Sequence, residues 1–230
     1  MRHWKVVAAG EGGQGVQSMA ESLALAGYRE GWKALYMPNF GIEQRGGVSL
    51  AYVQLSRAEI GSPKFLTANL VIVFSRRSLE RCRQYIGSRT AILYDSSSLE
   101  MPAVADQVIG LQSYETSAPE AYPLRTGFKP AGEKVKIPLD ERLVAIPAAE
   151  LARQRLHPRV FNMIILGATA ALMDTVDLGG LKETLEERFS RYFKRDPQLR
   201  EQNFKGLELG FKLAAREKNQ RIPLQEALTD

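Results

Sequence analysis

The sequence predicts an α/β domain: a Rossmann-like, mostly parallel sheet with helices on both faces, followed by a C-terminal helical segment. Three observations carry this. Residues 6–15, VVAAGEGGQG, run an apolar strand straight into a glycine-rich turn. Short apolar runs, above all NLVIVF at 69–74, then alternate with stretches of helical periodicity, the pattern of strand–helix–strand units. From His157 to Lys218 the apolar residues recur at helical spacing.

Taken in order, residues 4–9 form a first strand whose lack of alternation predicts burial on both faces. The next segment, Val16–Glu30, places Val16, Met19, Leu23 and Ala26 or Gly27 on one helical face, and Gly31 stops it. Lys33–Met37 reads as the second strand, Asn39–Gly47 as a loop with three glycines, and Val48–Leu55 as an alternating third strand. Ile60–Phe65 is a turn around Gly61 and Pro63; residues 69–74 form a central parallel strand, Ser78–Ile86 a helix and Thr90–Tyr94 a further strand. In Glu115–Asp140 the prolines at 119, 123, 130 and 138 break every periodicity, and only Val135–Ile137 has a pattern that can pair. So long an irregular stretch reads as an interface arm or a surface excursion. Leu143–Pro147 is the last strand, Ala148–Arg155 a helix, His157–Met173 a strongly apolar helix, and Leu178–Phe193 and Pro197–Lys218 are amphipathic helices. The tail, 221–230, has no core pattern and is expected to lie on a partner. The whole of 1–230 therefore reads as one domain carrying an insertion or arm at 115–140.

Composition narrows the function. The chain has 230 residues, 44% hydrophobic and 25% charged, which suits a single soluble globular domain. Its one cysteine, Cys82, excludes an intrachain disulfide framework and a self-contained iron–sulfur or cysteine-based zinc site, which need several thiolates. With two histidines besides, no metal site is predicted. A net charge of +5 favours an anionic ligand or an acidic partner. The Lys and Arg residues are dispersed, without a basic tract or interleaved aromatics, so no nucleic-acid partner is expected. Neither a signal-peptide core nor an apolar run of membrane-spanning length occurs, and a cytoplasmic location without a membrane partner is expected.

The chemistry centres on two glycine loops. Gly10, Gly12 and Gly15 satisfy G-x-G-x-x-G between a strand and a helix, where unpaired first-turn N–H groups and the helix dipole favour anionic oxygens. A dinucleotide site would add an Asp or Glu about 20 residues on, at the end of the second strand. Here that strand ends in Pro38, Asn39 and Phe40. Anion or phosphate binding is therefore retained, with NAD(P) as an alternative. The second loop, GIEQRGG at 41–47, follows the second strand, so both loops are expected on one rim of the sheet, where a single ligand can touch both. Arg45, flanked by glycines, suits a bidentate grip on phosphate or carboxylate, or else an ion pair with Glu43 or Glu11. Gln14 and Asn39 are either ligand donors or caps of the helix and turn. Asn162, in an apolar helix, is expected to satisfy a nearby loop carbonyl. Cys82 stands among Arg76, Arg77, Arg81 and Arg83, a setting that can lower a thiol pKa, but it is expected to be a packed thiol. No Ser–His–Asp or Cys–His set, no carboxylate cluster and no G-x-x-x-x-G-K-[ST] loop occurs, so no catalytic residue is predicted.

GEGGQGV at 10–16, PNFGIEQRGGVSLAYVQLS at 38–56 and IGSP at 60–63 resemble the gamma subunit, or gamma domain, of 2-oxoacid:ferredoxin oxidoreductases. IPAAELA at 146–152, NMIILGA at 162–168 and Asn203 followed by FKGLELGF extend the resemblance, which covers about residues 4–100 and 143–215. Phe40 stands where the family usually has Tyr, and the 115–140 segment is longer than the family leads one to expect. The resemblance implies an enzyme that decarboxylates a 2-oxoacid on thiamine diphosphate, passes electrons through iron–sulfur clusters and hands the acyl group to coenzyme A. It implies a role for this chain in coenzyme A binding and assembly, with Gly12, Gly13, Gln14, Gly15, Asn39, Arg45, Gly46 and Gly47 as the candidate binding residues. Thiamine diphosphate with its Mg ion and the clusters would then sit on partners: thiamine-diphosphate-binding alpha- and beta-type subunits and a ferredoxin-like chain. Pyruvate, 2-oxoglutarate, branched-chain and aryl 2-oxoacids all remain open. Two other readings stand beside it: a free-standing NAD(P)-binding dehydrogenase, and an assembly subunit whose glycine loops only let chains pack closely.

Overall fold

The computed structural model describes residues 3–39, 47–98 and 143–220, and the backbone of 109–110 and 116–117. Its strands are β1 (His3–Glu11), β2 (Lys33–Asn39), β3 (Val48–Ser56), β4 (Leu70–Val73), β5 (Ala91–Asp95), the two-residue β6 (Ile109–Gly110) and β7 (Thr116–Ser117), and β8 (Leu143–Ile146). Helices are α1 (Val16–Arg29), α2 (Arg76–Cys82), α3 (Ala148–Arg155), α4 (Phe161–Met173), α5 (Leu178–Arg188), α6 (Ser190–Arg195) and α7 (Pro197–Gln220). A six-stranded sheet has the order β2–β3–β1–β4–β5–β8, and β6 pairs with β7 separately. β1, β4, β5 and β8 run parallel, whereas β3 is antiparallel to both β1 and β2. The mostly parallel α/β fold expected from the sequence is the one observed.

Alternate residues along each strand go to opposite faces. One face gathers Trp4, Val6 and Ala8 of β1, Ala51, Val53 and Leu55 of β3, Leu70 and Ile72 of β4 and Leu93 of β5 under α1, α3, α4, α5 and α7. The other gathers Val7, Ala9, Leu50, Tyr52, Val71, Val73, Ile92 and Tyr94, with Leu79 and Cys82 of α2. Helices thus cover both faces, but the first carries most of them.

Several boundaries differ from the sequence reading, each for a physical reason. β3 was expected to turn one face to water, yet Leu50 to Ser56 are all buried. Its polar residues find internal partners: Gln54 Nε2 donates to Ser62 O at 2.7 Å, and its Oε1 lies 2.9 Å from the His3 ring nitrogen. On the helix side Gly27 lets α1 settle on the strand, since a Cβ there would lie 2.6 Å from Leu55 Cδ2. The apolar helix begins at Phe161, after a 3-10 turn over Pro158–Val160 capped by His157, whose Nδ1 accepts from the Arg159 N–H. Leu178–Phe193 is divided at Phe189 into α5 and α6, and the helix after Ser75 ends as a 3-10 turn at Arg83–Tyr85. Within 115–140, the residues that pair are Thr116 and Ser117; Val135–Ile137 and the rest of that segment lie outside the described residues, as does the tail 221–230. Among the described residues no helix is long and apolar enough to cross a membrane.

The helical layer is built around α4, in which Asn162 to Met173 are all buried. α7 crosses it at glycines: a Cβ on Gly167 would strike the Leu207 carbonyl, and one on Gly210 would strike the Ile164 carbonyl. With no side chain at either position, the two backbones come within touching distance, and neither has room to give way. Arg188 of α5 ties this layer to α1, donating to Ser18 O at 2.8 Å and Ser22 Oγ at 2.9 Å and pairing with Glu21. Gly210→Ala should therefore force α7 away from α4 and lower stability by about 1–3 kcal/mol. Urea unfolding of the purified chain is the check, and an unchanged midpoint would show that the crossing is looser than the backbone distances state.

Candidate functional site

The carboxyl rim of the sheet beside β1 is assembled from glycine upward. β1 ends at Glu11, and the chain turns through Gly12–Gly15 into α1, with Gly13 at φ +93° and Gly15 at φ +76°, conformations that favour glycine. Gln14 closes the turn: its N–H donates to Glu11 O at 3.1 Å, and its Oε1 accepts the Glu11 N–H at 2.7 Å. Gly12 donates its N–H to Gly47 O at 3.1 Å, which clamps the first glycine loop to the end of the second. This bond puts Gly47, the last residue of the second loop, on the same rim as the first loop; residues 41–46 lie outside the described residues. It also continues the sheet register, in which Glu11 lies opposite Val48.

These contacts separate groups already committed from groups still free. The N–H groups of Gly12 and Gln14 are spent within the protein. Those of Val16, Gln17 and Ser18, in the first turn of α1, have no backbone acceptor among the described residues; the first helical bond is Met19 N–H to Gly15 O at 3.0 Å. α1 has Gly15 as its N-cap and no side-chain cap, so the partial positive charge of its first turn is left for something else. A Cβ built on Gly13 meets nothing within 4 Å among the described residues, which leave the space beside it open. Gly13, Gly15 and the first turn of α1 thus form a donor-rich corner suited to anionic oxygens.

Gln14 acts as a turn cap through its oxygen. Asn39 is at the end of β2, but its Nδ2 lies 3.5 Å from the Tyr52 hydroxyl, on the sheet face opposite α1. The structure therefore does not bring its amide to the Gly13–Gly15 corner. Arg45 and Gly46 lie outside the described residues. Asn162 gives the clearest departure. The loop carbonyl expected for it is absent among the described residues, and its amide faces the glycine loop instead: a Cβ on Gly15 would collide with Asn162 Nδ2. Phe161 beside it packs edge-on against Phe74, ring centroids 5.3 Å apart, and Phe74 in turn closes on Gly10. Sequence reasoning placed Asn162 in a buried helix but had no signal for this contact, which joins distant parts of the chain.

Cys82 is buried among Val71, Leu79 and Tyr85 on the other face of the sheet, and burial pushes its thiol pKa up despite the nearby Arg81. It is a packed thiol, not an activated one. Native protein should accordingly leave a disulfide thiol probe unreacted at about pH 8, where an ordinary thiol begins to ionise. One equivalent should react after unfolding in urea; rapid reaction of the folded chain would contradict the burial.

Fold and rim together define an α/β domain with a glycine-loop corner at the carboxyl edge of its sheet, beside the first turn of α1. The family model for pyruvate ferredoxin/flavodoxin oxidoreductases matches residues 5–213, and the chain belongs to that family. Ketoisovalerate oxidoreductase subunit VorA of Methanothermobacter thermautotrophicus is 28% identical over 207 residues, 90% of this chain and 35% of the relative. The 2-oxoglutarate synthase subunit KorC of Archaeoglobus fulgidus is 31% identical over 112 residues, 49% of this chain and 58% of that one. The chain thus spans about a third of the length of the VorA relatives it matches. Among solved structures, the gamma subunit of a keto/oxoacid ferredoxin oxidoreductase from Geobacter sulfurreducens superposes with a TM-score of 0.64 at 18% identity, covering 93% of this chain and 99% of that one. The 2-oxoglutarate:ferredoxin oxidoreductase of Magnetococcus marinus, solved with 2-oxoglutarate, coenzyme A and succinyl-CoA bound, gives a TM-score of 0.68 at 24% identity over 94% of this chain and 32% of that one. These likenesses establish the fold.

Proposed function

We propose that the chain is a gamma-type subunit of a thiamine-diphosphate- and iron–sulfur-dependent 2-oxoacid oxidoreductase, to which it contributes coenzyme A binding and assembly. In that reaction the oxoacid loses CO2 and two electrons, the electrons pass to an acceptor, and the coenzyme A thiol takes the acyl group and releases its proton. The observation that carries the reading is the open corner at Gly13 and Gly15, where the first-turn N–H groups of α1 are unspent while Gly12 is bound to the second loop. A diphosphate-bearing cosubstrate suits such a corner. Family membership supports the class of reaction.

Thiamine diphosphate, its Mg ion and the iron–sulfur clusters are assigned to partner chains: alpha- and beta-type subunits and a ferredoxin-like subunit. With Cys82 as its one cysteine, and that one buried, this chain has no thiolate set for a cluster. The dehydrogenase alternative is weakened by Asn39, where a ribose-binding carboxylate would stand, and by the antiparallel β3 between β1 and β2. The segment 115–140 and the tail 221–230 are assigned to contacts with partners, and the complex to the cytoplasm.

The isolated chain should reduce no acceptor dye in the presence of a 2-oxoacid, and turnover by it alone would refute its role as a subunit. In the assembled enzyme, Arg45→Ala should raise the apparent KM for coenzyme A. A charge-assisted contact to phosphate contributes about 1.5–3 kcal/mol, or roughly 10- to 150-fold in affinity. Decarboxylation of the oxoacid in the absence of coenzyme A should change little. Gly13→Ala should act in the same direction, through the strain of φ +93° and a Cβ in the open corner. Steady-state kinetics with coenzyme A varied at saturating oxoacid decide the matter; an unchanged coenzyme A dependence in both variants would leave the assembly role alone.

A further inference from the structure

We propose that Asn162 is a ligand-contacting residue of the glycine-loop corner, its carboxamide Nδ2 donating to a phosphoryl oxygen held at the N-terminus of α1. The inference rests on the coenzyme A reading above and adds to it a residue from the far end of the chain. Asn162 is 8% exposed, and its carboxamide, with no hydrogen-bond partner among the described residues, keeps contact with solvent; the sealed, unpaired side-chain atoms are those of Trp4, Thr175 and Gln202. An amide that no protein group holds, and that is nonetheless fixed in a closely packed helix, is available to donate to a ligand oxygen. Its direction is set by contact: the amide nitrogen occupies the space where a side chain on Gly15 would stand. That places a donor against the N-cap of α1, beside the first-turn N–H groups that also lack acceptors among the described residues.

The position is held rigidly. Asn162 is the second residue of α4, so the first turns of α1 and α4 meet here, and both helix dipoles place partial positive charge at the meeting point. α4 has little freedom to withdraw, because Gly167 and Gly210 lock it against α7 and the Phe161 ring packs edge-on against Phe74. An amide there adds a directional donor without adding charge to a corner that the dipoles already make positive. On this assignment the phosphoryl group is bounded by the glycine loop on one side and by α4 on the other.

Two near-isosteric variants test it in the assembled enzyme: Asn162→Leu, which removes the donor, and Asn162→Asp, which keeps the shape and brings a negative charge to the phosphate. Affinity for coenzyme A is read by titration calorimetry, and thermal stability is read without ligand. Asn162→Leu should weaken coenzyme A binding by roughly 10- to 150-fold. Asn162→Asp should weaken it further, and the gap between the two variants should narrow as salt is raised. Arg45→Ala is titrated in parallel. If Arg45→Ala weakens binding while both Asn162 variants bind like the native enzyme, Asn162 is a packing residue and the proposal falls while the coenzyme A corner stands. If all three bind normally, the corner itself is not the coenzyme A site and both readings fall. Should Asn162→Leu not assemble, Asn162→Asp decides alone, and native affinity in it overturns the proposal.

Discussion

At the exit of β1, three elements converge on two residues that have no side chains. A Cβ on Gly10 would lie 2.5 Å from Val16 Cγ2, 2.8 Å from Gln14 Oε1 and 2.8 Å from Phe74 Cδ2, so α1, the turn and the end of β4 all press on that one position. Gly15 accepts the Asn162 amide in the same way. Remove either vacancy and α1 has to lift from the sheet or α4 has to retreat from the loop. The Gly12 to Gly47 bond adds the second loop to this cluster without a side chain. Close approach of side chains to bare backbone is thus the constraint on which the rim depends, and it explains why the glycines occur at a strand–helix junction, where each also forfeits some conformational entropy.

The same device recurs behind the rim. Gly167 and Gly210 let α7 reach the backbone of α4, and Gly27 lets α1 reach Leu55. A helix that is buried almost all round and held backbone to backbone against α7 transmits position well, since interiors packed at crystal density do not deform smoothly. The precise seat of Asn162 is therefore a consequence of helix packing well away from the loop.

The β1–loop–α1 unit was legible in the sequence because three signals coincide there: an apolar run, φ > 0 residues and helical periodicity starting at Val16. The strand at 70–73 was legible for the same reason of continuous apolarity. The direction of β3 was not, because periodicity carries no sign; the alternation read over Val48–Leu55 includes Gln54, which is buried. The break at Phe189 was hidden because apolar spacing continues across it while the backbone does not. For the site, the meeting of the two loops followed from topology alone, since strands one and two end on the same rim. What stayed out of reach was which individual side chains meet across the fold. Asn162 on Gly15 is such a contact, and so is Asn39 with Tyr52, whose hydroxyl lies 2.7 Å from that of Tyr85 in an aromatic cluster on the opposite face.

On the proposed reading, the chemistry of the corner suits a cosubstrate more than a resident cofactor. Coenzyme A has to arrive and acyl-CoA has to leave in every turnover, so tight uniform binding would raise occupancy without raising the rate. Main-chain N–H groups, helix dipoles and a neutral amide give direction to the phosphates at modest strength, and Arg45 is the one charged group assigned to them here. Such donors are already in place before the ligand arrives, which limits the ordering cost of binding. The acyl-accepting thiol is at the far end of the same molecule from its phosphates. A chain that grips the phosphates can therefore set the reach of the thiol toward chemistry on a partner while carrying no catalytic group of its own.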